Sequence, residues 1–383
     1  MATVIVTILI FLVMVSLHEF GHFIMAKACG IKVLEFAVGM GPAIFKKQKG
    51  ETLYSVRIFP IGGYCKMEGE DGASDDKRAF TNQVLWKRFL VTVAGATLNV
   101  ILGFVIFLIL VANTSPFSTT TVDTVVEHSY LAQSGIQSGD EIVKINGKTV
   151  TFFRDISLYC GNLQEDEAIP VQVKRAGQRM EFEVKPSKEV TTAKYTQTGV
   201  EYINALNGVQ QTNFYLYDDT LPKDETKIGK EETQERLLIG FTPTQENVTI
   251  FNIIPQAFYN TKFVVKLVYT SLFQMITGQV SLNQVAGPVG IVSEVNTAVN
   301  SGAYSWLNVL SLVALLTINL GIFNLLPIPA LDGGRIFFML IELIRRKPIP
   351  PEKEGMIHAI GLLVLFGLII VISFNDILRL FRG

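Results

Sequence analysis

The chain has 383 residues, enough for two or three domains. Its 33 Lys and Arg stand against 34 Asp and Glu, and a net charge of −1 excludes a global nucleic-acid footprint. Hydrophobic residues make up 49% of the chain and gather into long uncharged runs, which excludes a wholly soluble protein.

The first such run covers about residues 3–26. No charged residue lies between Ala2 and Leu17, and the first basic residue is Lys27. Without a basic start or a small-residue cleavage site, the run reads as a retained anchor and not a signal peptide. Inside it stands His18-Glu19-Phe20-Gly21-His22. H-E-x-x-H on a helix is a zinc-protease signature, with two His ligands one turn apart and a Glu as general base. Polar chemistry at membrane depth is costly and marks function by default.

The loop from 30 to 83 alternates apolar and polar residues over 33–41, 52–59 and 64–67. Glycine and proline separate these runs, notably in Pro60-Ile61-Gly62-Gly63. It reads as a small β region, either associated with the membrane or forming an ordinary cytosolic hairpin. A second span follows at about 91–112.

Residues 115–250 are expected to form a separate α+β domain. Strand-like runs fall at 121–126, 141–145, 169–173, 180–184 and 237–241. The stretch Gly135-Ile136-Gln137-Ser138-Gly139-Asp140-Glu141-Ile142-Val143-Lys144-Ile145-Asn146-Gly147 reads as turn, strand and hairpin turn, and resembles a PDZ domain. Residues 191–235 are polar and charge-rich, and are expected to be an inserted loop or a partly disordered excursion. Residues 255–277 show helical apolar spacing, as an amphipathic membrane-surface helix or a soluble core helix would. A third span covers 306–326 and continues in broken form to about 344. A fourth covers 356–374.

The residues 27–88 hold 11 basic against 7 acidic side chains, and the residues 114–250 hold 13 against 20. Arg345, Arg346 and Lys347 precede the last span. This asymmetry places the first and third loops in the cytoplasm and the acidic domain outside, with both termini outside. Cys29, Cys65 and Cys160 form neither a disulfide framework nor a metal-ligand spacing.

His18 and His22 share one helix face and can share one Zn²⁺, but a catalytic zinc site takes three protein ligands. The chain has four histidines; His128 lies in the external domain and His358 near the start of the last span. A carboxylate is therefore favoured, and Asp332 is the best placed. It follows Asn324-Leu325-Leu326-Pro327-Ile328-Pro329-Ala330-Leu331, where two prolines break the third span, and precedes Gly333-Gly334. In the competing reading Asp332 pairs with Arg335.

These segments together resemble the site-2 protease family, in its bacterial branch. The resemblance rests on HEFGH, Gly39-Met40-Gly41, the strand from Pro60 to Met67, a PDZ insertion, Gly287-Pro288-Val289-Gly290 and Leu331-Asp332-Gly333. It departs at Ala94-Gly95-Ala96-Thr97-Leu98-Asn99, where Ala96 replaces a proline common in the family. The resemblance implies a multi-pass bacterial cell-membrane enzyme, mainly α-helical, with about four transmembrane helices, a membrane-associated β loop and an inserted extracytoplasmic PDZ domain. The implied domains are 1–114, 115–250 and 251–383. Asp332 is implied as the third zinc ligand beside His18 and His22, with Glu19 as the base. Asn324, Gly39, Gly41 and Asn99 are implied substrate contacts, and the β loop adds an edge to an extended substrate. The implied partners are the lipid bilayer and single-span membrane proteins such as anti-sigma factors and remnant signal peptides. The site is expected to face the cytoplasm, and the implied reaction is a second cut after trimming by another protease.

Overall fold

The structure, a computed structural model, describes residues 2–382 apart from 71, 73, 115, 161–162, 166, 218–222, 224, 226, 279–286 and 303–304. The chain divides into two compact units. One comprises Met1–Phe107, Asn260–Asn300 and Ser305–Gly383, the other Leu108–Tyr259 and Ser301–Tyr304.

The first unit opens with helix α1 (Ala2–Ala28), the uncharged run that contains the HEFGH motif. Gly30 ends it at φ +77°, and Ile31 N–H donates back to the Ala26 carbonyl at 2.9 Å. This six-to-one bond is the glycine-based stop that turns the chain out of a helix. Two long bent strands follow, β1 (Val33–Lys49) and β2 (Thr52–Met67). Each folds back on itself. Residues 33–38 pair with 63–67 on one side and with 53–56 on the other, while 43–49 pair with 52–57. The four rungs therefore run 43–49, 52–57, 33–38, 63–67, and the last is an edge. The expected strands are all present; the added rung at 43–49 was hidden by Lys46, Lys47 and Lys49. Gly39 and Gly41 make the bend at φ +84° and +83°. A Cβ at Gly39 would stand 2.6 Å from the Phe59 carbonyl, so the tight return requires glycine there. Arg57 braces the bend, donating to the Gly41 carbonyl at 2.5 Å and to Glu35 at 2.7 Å.

Helix α2 (Leu85–Asn113) runs unbroken through Ala96, so the residue that replaces the family's proline simply continues the helix. A core of Ala26, Ile31, Val33, Cys65, Met67, Phe80, Val91 and Met339 docks the β region. Each large side chain buried here contributes about 1.5–3 kcal/mol.

The second unit contains β3 (Phe117–Val125), β4 (Glu141–Ile145), β5 (Lys148–Thr149), helix α3 (Phe153–Cys160), β6 (Ile169–Arg175) and β7 (Gln178–Val184). It continues with β8 (Ser187–Tyr195), β9 (Gly199–Leu206), β10 (Val209–Leu216), β11 (Glu231–Leu238) and β12 (Phe241–Glu246). The main sheet has the order β12-β3-β4-β6-β7, with β5 paired to β4. Ile169, Val171 and Val173 all reach its core by strand alternation. Ile142 and Ile145 are three residues apart and yet both buried; a register shift between Ile142 and Lys144 supplies the extra residue. Asn146 and Gly147, both at positive φ, turn β4 into β5 as expected. The run expected at 237–241 is divided, because Gly240 at φ +98° separates β11 from β12.

Residues 191–235 require a correction. Residues 191–195, 199–206, 209–216 and 231–235 of this stretch belong to a second antiparallel sheet, β10-β9-β8-β11, where a loop or partly disordered excursion was expected. The polar side chains pair across strands, as in Lys194 with Glu231 and Arg236 with Glu189. Asn207-Gly208 makes the β9–β10 turn at φ +47° and +88°. Charge content concealed the alternation. Part of this stretch, 218–222, 224 and 226, lies outside the described residues, as does 115 at the expected domain bound. The three cysteines are buried and free, and burial pushes the Cys160 thiol up to about 11.

Helix α4 (Ile250–Ile276) begins in the second unit and ends in the first, with Phe251, Phe273 and Ile276 exposed. In the first unit follow α5 (Pro288–Val299), α6 (Ser305–Asn324), α7 (Asp332–Arg345) and α8 (Pro351–Arg382). The break expected after the third span separates α6 from α7. Asp376 of α8 accepts the N–H groups of Gly287 and Gly290 at 2.9 and 2.8 Å, capping the start of α5. Among the described residues, four helices are long and apolar enough to cross a membrane: Thr3–Ala28, Leu85–Asn113, Ser305–Asn324 and Glu352–Leu378.

Asp140 anchors the second unit's sheet. It is fully buried, accepts two bonds from Arg175 at 2.7 Å each, and receives the Gln137 N–H at 2.9 Å. The Arg175 guanidinium holds the Asp140 carboxyl below its usual range. A depressed carboxyl contributes stability that is present above about pH 4 and is lost as pH falls toward the folded-state value. Asp140→Asn should lower the unit's stability by about 2–3 kcal/mol at pH 7, and the deficit should shrink below about pH 4. Pulse proteolysis of the whole chain, read at cuts within the second unit, measures both effects.

Candidate metal centre

Among the described residues one cluster has three converging ligand atoms: His18 and His22 from α1 and Asp332 from α7. His18 Nε2 lies 3.1 Å from Asp332 Oδ2, His22 Nε2 lies 3.3 Å from the same oxygen, and the two ring nitrogens are 3.2 Å apart. Both histidines are buried. Ligands about 2.0–2.1 Å from a tetrahedral cation stand roughly 3.3 Å apart, so the triangle has the size that a zinc ion requires. Asp332 Oδ2 is buried without an ordinary hydrogen bond and faces the two rings. Such a concentration of lone pairs needs a cation.

The surrounding elements set this geometry. His22 Nδ1–H donates to the Val91 carbonyl at 2.8 Å, which leaves Nε2 with its lone pair toward the cluster. His18 Nδ1 faces the Asn99 amide at 3.3 Å, and the buried Asn99 Oδ1 has no partner. Turning that amide over lets Oδ1 accept from Nδ1–H, fixing the same tautomer in His18. α1 and α2 approach closely through glycine. A Cβ on Gly21 would stand 2.5 Å from the Ala94 carbonyl, and one on Gly95 2.4 Å from His22 Nε2.

Asp332 is the first residue of α7, where unpaired helix N–H groups favour a carboxylate. The loop before it is strained, with Ala330 at φ +79°, and Ala330 N–H is held by His358 Nδ1 at 2.8 Å. A Cβ on Gly333 would collide with the Leu326 carbonyl at 2.1 Å, so the Leu-Asp-Gly turn closes only with glycine. Arg335 does not pair with Asp332 as the competing reading had it; its partner is Glu70.

A cavity of about 720 Å³ opens on the cluster, and Glu19, Gly63, Cys65 and Asn324 are among its walls. Glu19 Oε2 accepts the Cys65 N–H at 3.0 Å. The Asn324 amide lies 3.5 Å from His18 Nε2 and faces the cavity. Two expected substrate contacts are corrected. Asn99 is fully buried behind His18, and Gly39 is buried against Phe59, so neither presents surface to a substrate. Gly41 is exposed beside Met40, with its carbonyl taken by Arg57. Glu70, Arg335 and His358, which also line the cavity, were not singled out by sequence reasoning for such a place. No motif marks Glu70, and His358 had only its nearness to a span.

Gly95→Ala tests the close approach. Displacing the His22 ring should reduce bound metal at least several-fold at equal protein, as read by atomic absorption on purified samples.

Comparison with known proteins agrees with this geometry. Peptidase family M50 matches residues 6–368. A protein of Clostridium acetobutylicum is 34% identical over 375 residues, covering 98% of this chain and 97% of its own. One of Clostridium perfringens is 33% identical over 376 residues, covering 98% of each. One of Fusobacterium nucleatum subsp. nucleatum is 30% identical over 384 residues, covering 98% of this chain and all of its own. Each of the three carries the name "putative zinc metalloprotease". With the family match spanning nearly the whole sequence, this chain belongs to peptidase family M50 and is a metalloendopeptidase of the site-2 protease type.

Proposed function

We propose that this protein is a zinc-dependent intramembrane endopeptidase that hydrolyses peptide bonds within the transmembrane segments of other membrane proteins. The observation that carries this reading is the His18, His22 and Asp332 triangle. His18, His22 and Glu19 stand on a helix of membrane-spanning length and apolarity, and Asp332 opens the short helix α7 that follows another such span, Ser305–Asn324. The three residues would hold one Zn²⁺. The zinc supplies Lewis-acid chemistry, polarising a carbonyl and lowering the pKa of a water.

The chain's own residues divide the remaining work. Glu19 is the general base and acid: it takes a proton from the attacking water at its carboxylate and delivers it to the leaving amide nitrogen. Asn324 holds the scissile carbonyl region by hydrogen bonding, a contact worth about 3–4 kcal/mol when it acts on the transition state. Asn99 and the Val91 carbonyl orient the two imidazoles and touch no substrate.

A peptide bond in an intact helix is a poor substrate because its carbonyl is internally bonded. The edge at residues 63–67 of β2, beside the cluster, would accept an unwound substrate as an added strand and replace those bonds. The charge asymmetry of the loops supports a multi-pass arrangement in a bacterial cell membrane, with the metal centre toward the cytoplasm and the second unit outside. A groove of about 760 Å³ beside α3 and the start of β12 supports a PDZ reading of the second unit; Ile156, Ile239 and Phe241 give it apolar surface, and β8 and β11 form the rest of its wall. Such a groove fits an extended chain end. The reading as a whole is a second cut in regulated intramembrane proteolysis. Single-span proteins such as anti-sigma factors and remnant signal peptides are its substrates.

Glu19→Gln should retain its metal and lose about 10²–10⁴-fold in cleavage of a single-span substrate. Asp332→Ala should lose both metal and cleavage. Metal analysis beside a gel-based cleavage assay in detergent reads the two variants together, and wild-type cleavage by Glu19→Gln would sink the mechanism.

A further inference from the structure

The edge strand beside the metal centre is already occupied by the protein's own carboxylates. Residues 63–67 of β2 have a partner strand on one side, the 33–38 segment of β1. Cys65 and Met67 are two residues apart, so their N–H groups point the same way in the plane of the sheet, toward the unpaired side. Cys65 N–H donates to Glu19 Oε2 at 3.0 Å and Met67 N–H to Glu70 Oε2 at 3.1 Å. The other oxygen of Glu70 is held by Arg335, one helical turn beyond Asp332 on α7. Glu70 and Arg335 both line the cavity, with side chains 16% and 24% exposed.

Glu19 belongs at this place for its chemistry. Glu70 has no part in that chemistry, yet it takes the next outward N–H along the edge. We propose that Glu70, clasped by Arg335, is an internal competitor for the substrate's backbone that weakens strand addition at the edge. The inference rests on the strand-addition reading above and deepens it. A substrate carbonyl that pairs with Met67 N–H must first displace Glu70. A hydrogen bond to a carboxylate is stronger than one to a neutral carbonyl, so the exchange adds a cost to every substrate that reaches this rung. A helical substrate bears the further cost of unwinding, since its carbonyls are bonded internally. The clasp therefore keeps the edge closed to weakly pairing segments and acts on binding, not on the bond-breaking step.

The test uses two synthetic single-span peptides in detergent, one with a Leu-rich helical segment and one with a Gly-rich centre, cleaved by the full-length zinc-loaded enzyme. The readout is KM against kcat for each peptide, because a merely structural loss would lower kcat and would not lower KM. Glu70→Ala/Arg335→Ala removes both charges together and leaves neither unpaired. It should lower KM about ten-fold for both peptides at little change in kcat, the equivalent of roughly 1.4 kcal/mol. Glu70→Gln preserves volume and should move KM in the same direction by less. An unchanged or raised KM in both variants overturns the proposal. A third peptide, Gly-rich but N-methylated along its centre, cannot donate to a strand edge. If its KM equals that of the unmethylated form, strand addition itself is wrong. If its KM rises while the clasp variants change nothing, strand addition stands and the clasp alone fails.

Discussion

Three lone-pair donors forced together in a buried, mostly apolar place are the constraint on which this fold depends. His18, His22 and Asp332 come from helices more than 300 residues apart in sequence and stand within 3.3 Å of one another. Their mutual repulsion and desolvation are unfavourable without a cation at the centre. Much of the first unit can be read as what this convergence requires. Gly21 and Gly95 allow α1 and α2 to meet backbone to side chain. The proline-broken loop after α6 delivers a helix start where a carboxylate is wanted. His358 holds the strained Ala330 two residues before the ligand.

The β region is bound into the same arrangement. Its edge strand carries two carboxylates, and one of them is Glu19, the proposed base. The surface offered for substrate pairing and the proton-transfer group are thus held by one hydrogen bond between Cys65 and Glu19. In the proposed mechanism, entry of a substrate strand and release of Glu19 to act on water would be a single rearrangement. Bends at Gly39 and Gly41, braced by Arg57, fix where that edge lies. Their contribution is to shape the site.

The sequence made the chemistry more legible than its support. HEFGH announced two ligands and a base because helical spacing is local, and the broken third span singled out Asp332 because a lone acid at membrane depth needs a reason. The four apolar helices were equally readable. Long-range contacts were not. Asn99 and Gly39 belong to motifs, and a motif does not say whether its residue faces the substrate or stands behind a ligand; both are buried. Glu70 carried no pattern at all, since its place depends on strand pairing and on a helix 265 residues later. The sheet formed by β8 to β11 was hard to read because its charged composition masks its alternation. Its Thr and Val positions and the Asn207-Gly208 turn were available signals.

The central claim is that one zinc ion is held by two imidazoles and one carboxylate. Zinc K-edge X-ray absorption on the metal-loaded protein tests it most directly. The account predicts a first shell of nitrogen and oxygen alone at about 2.0–2.1 Å, with multiple scattering from two imidazoles, and no such signal from Asp332→Ala protein, which should retain no zinc. A sulfur scatterer at about 2.3 Å, or full zinc content with the wild-type spectrum in Asp332→Ala protein, would contradict it.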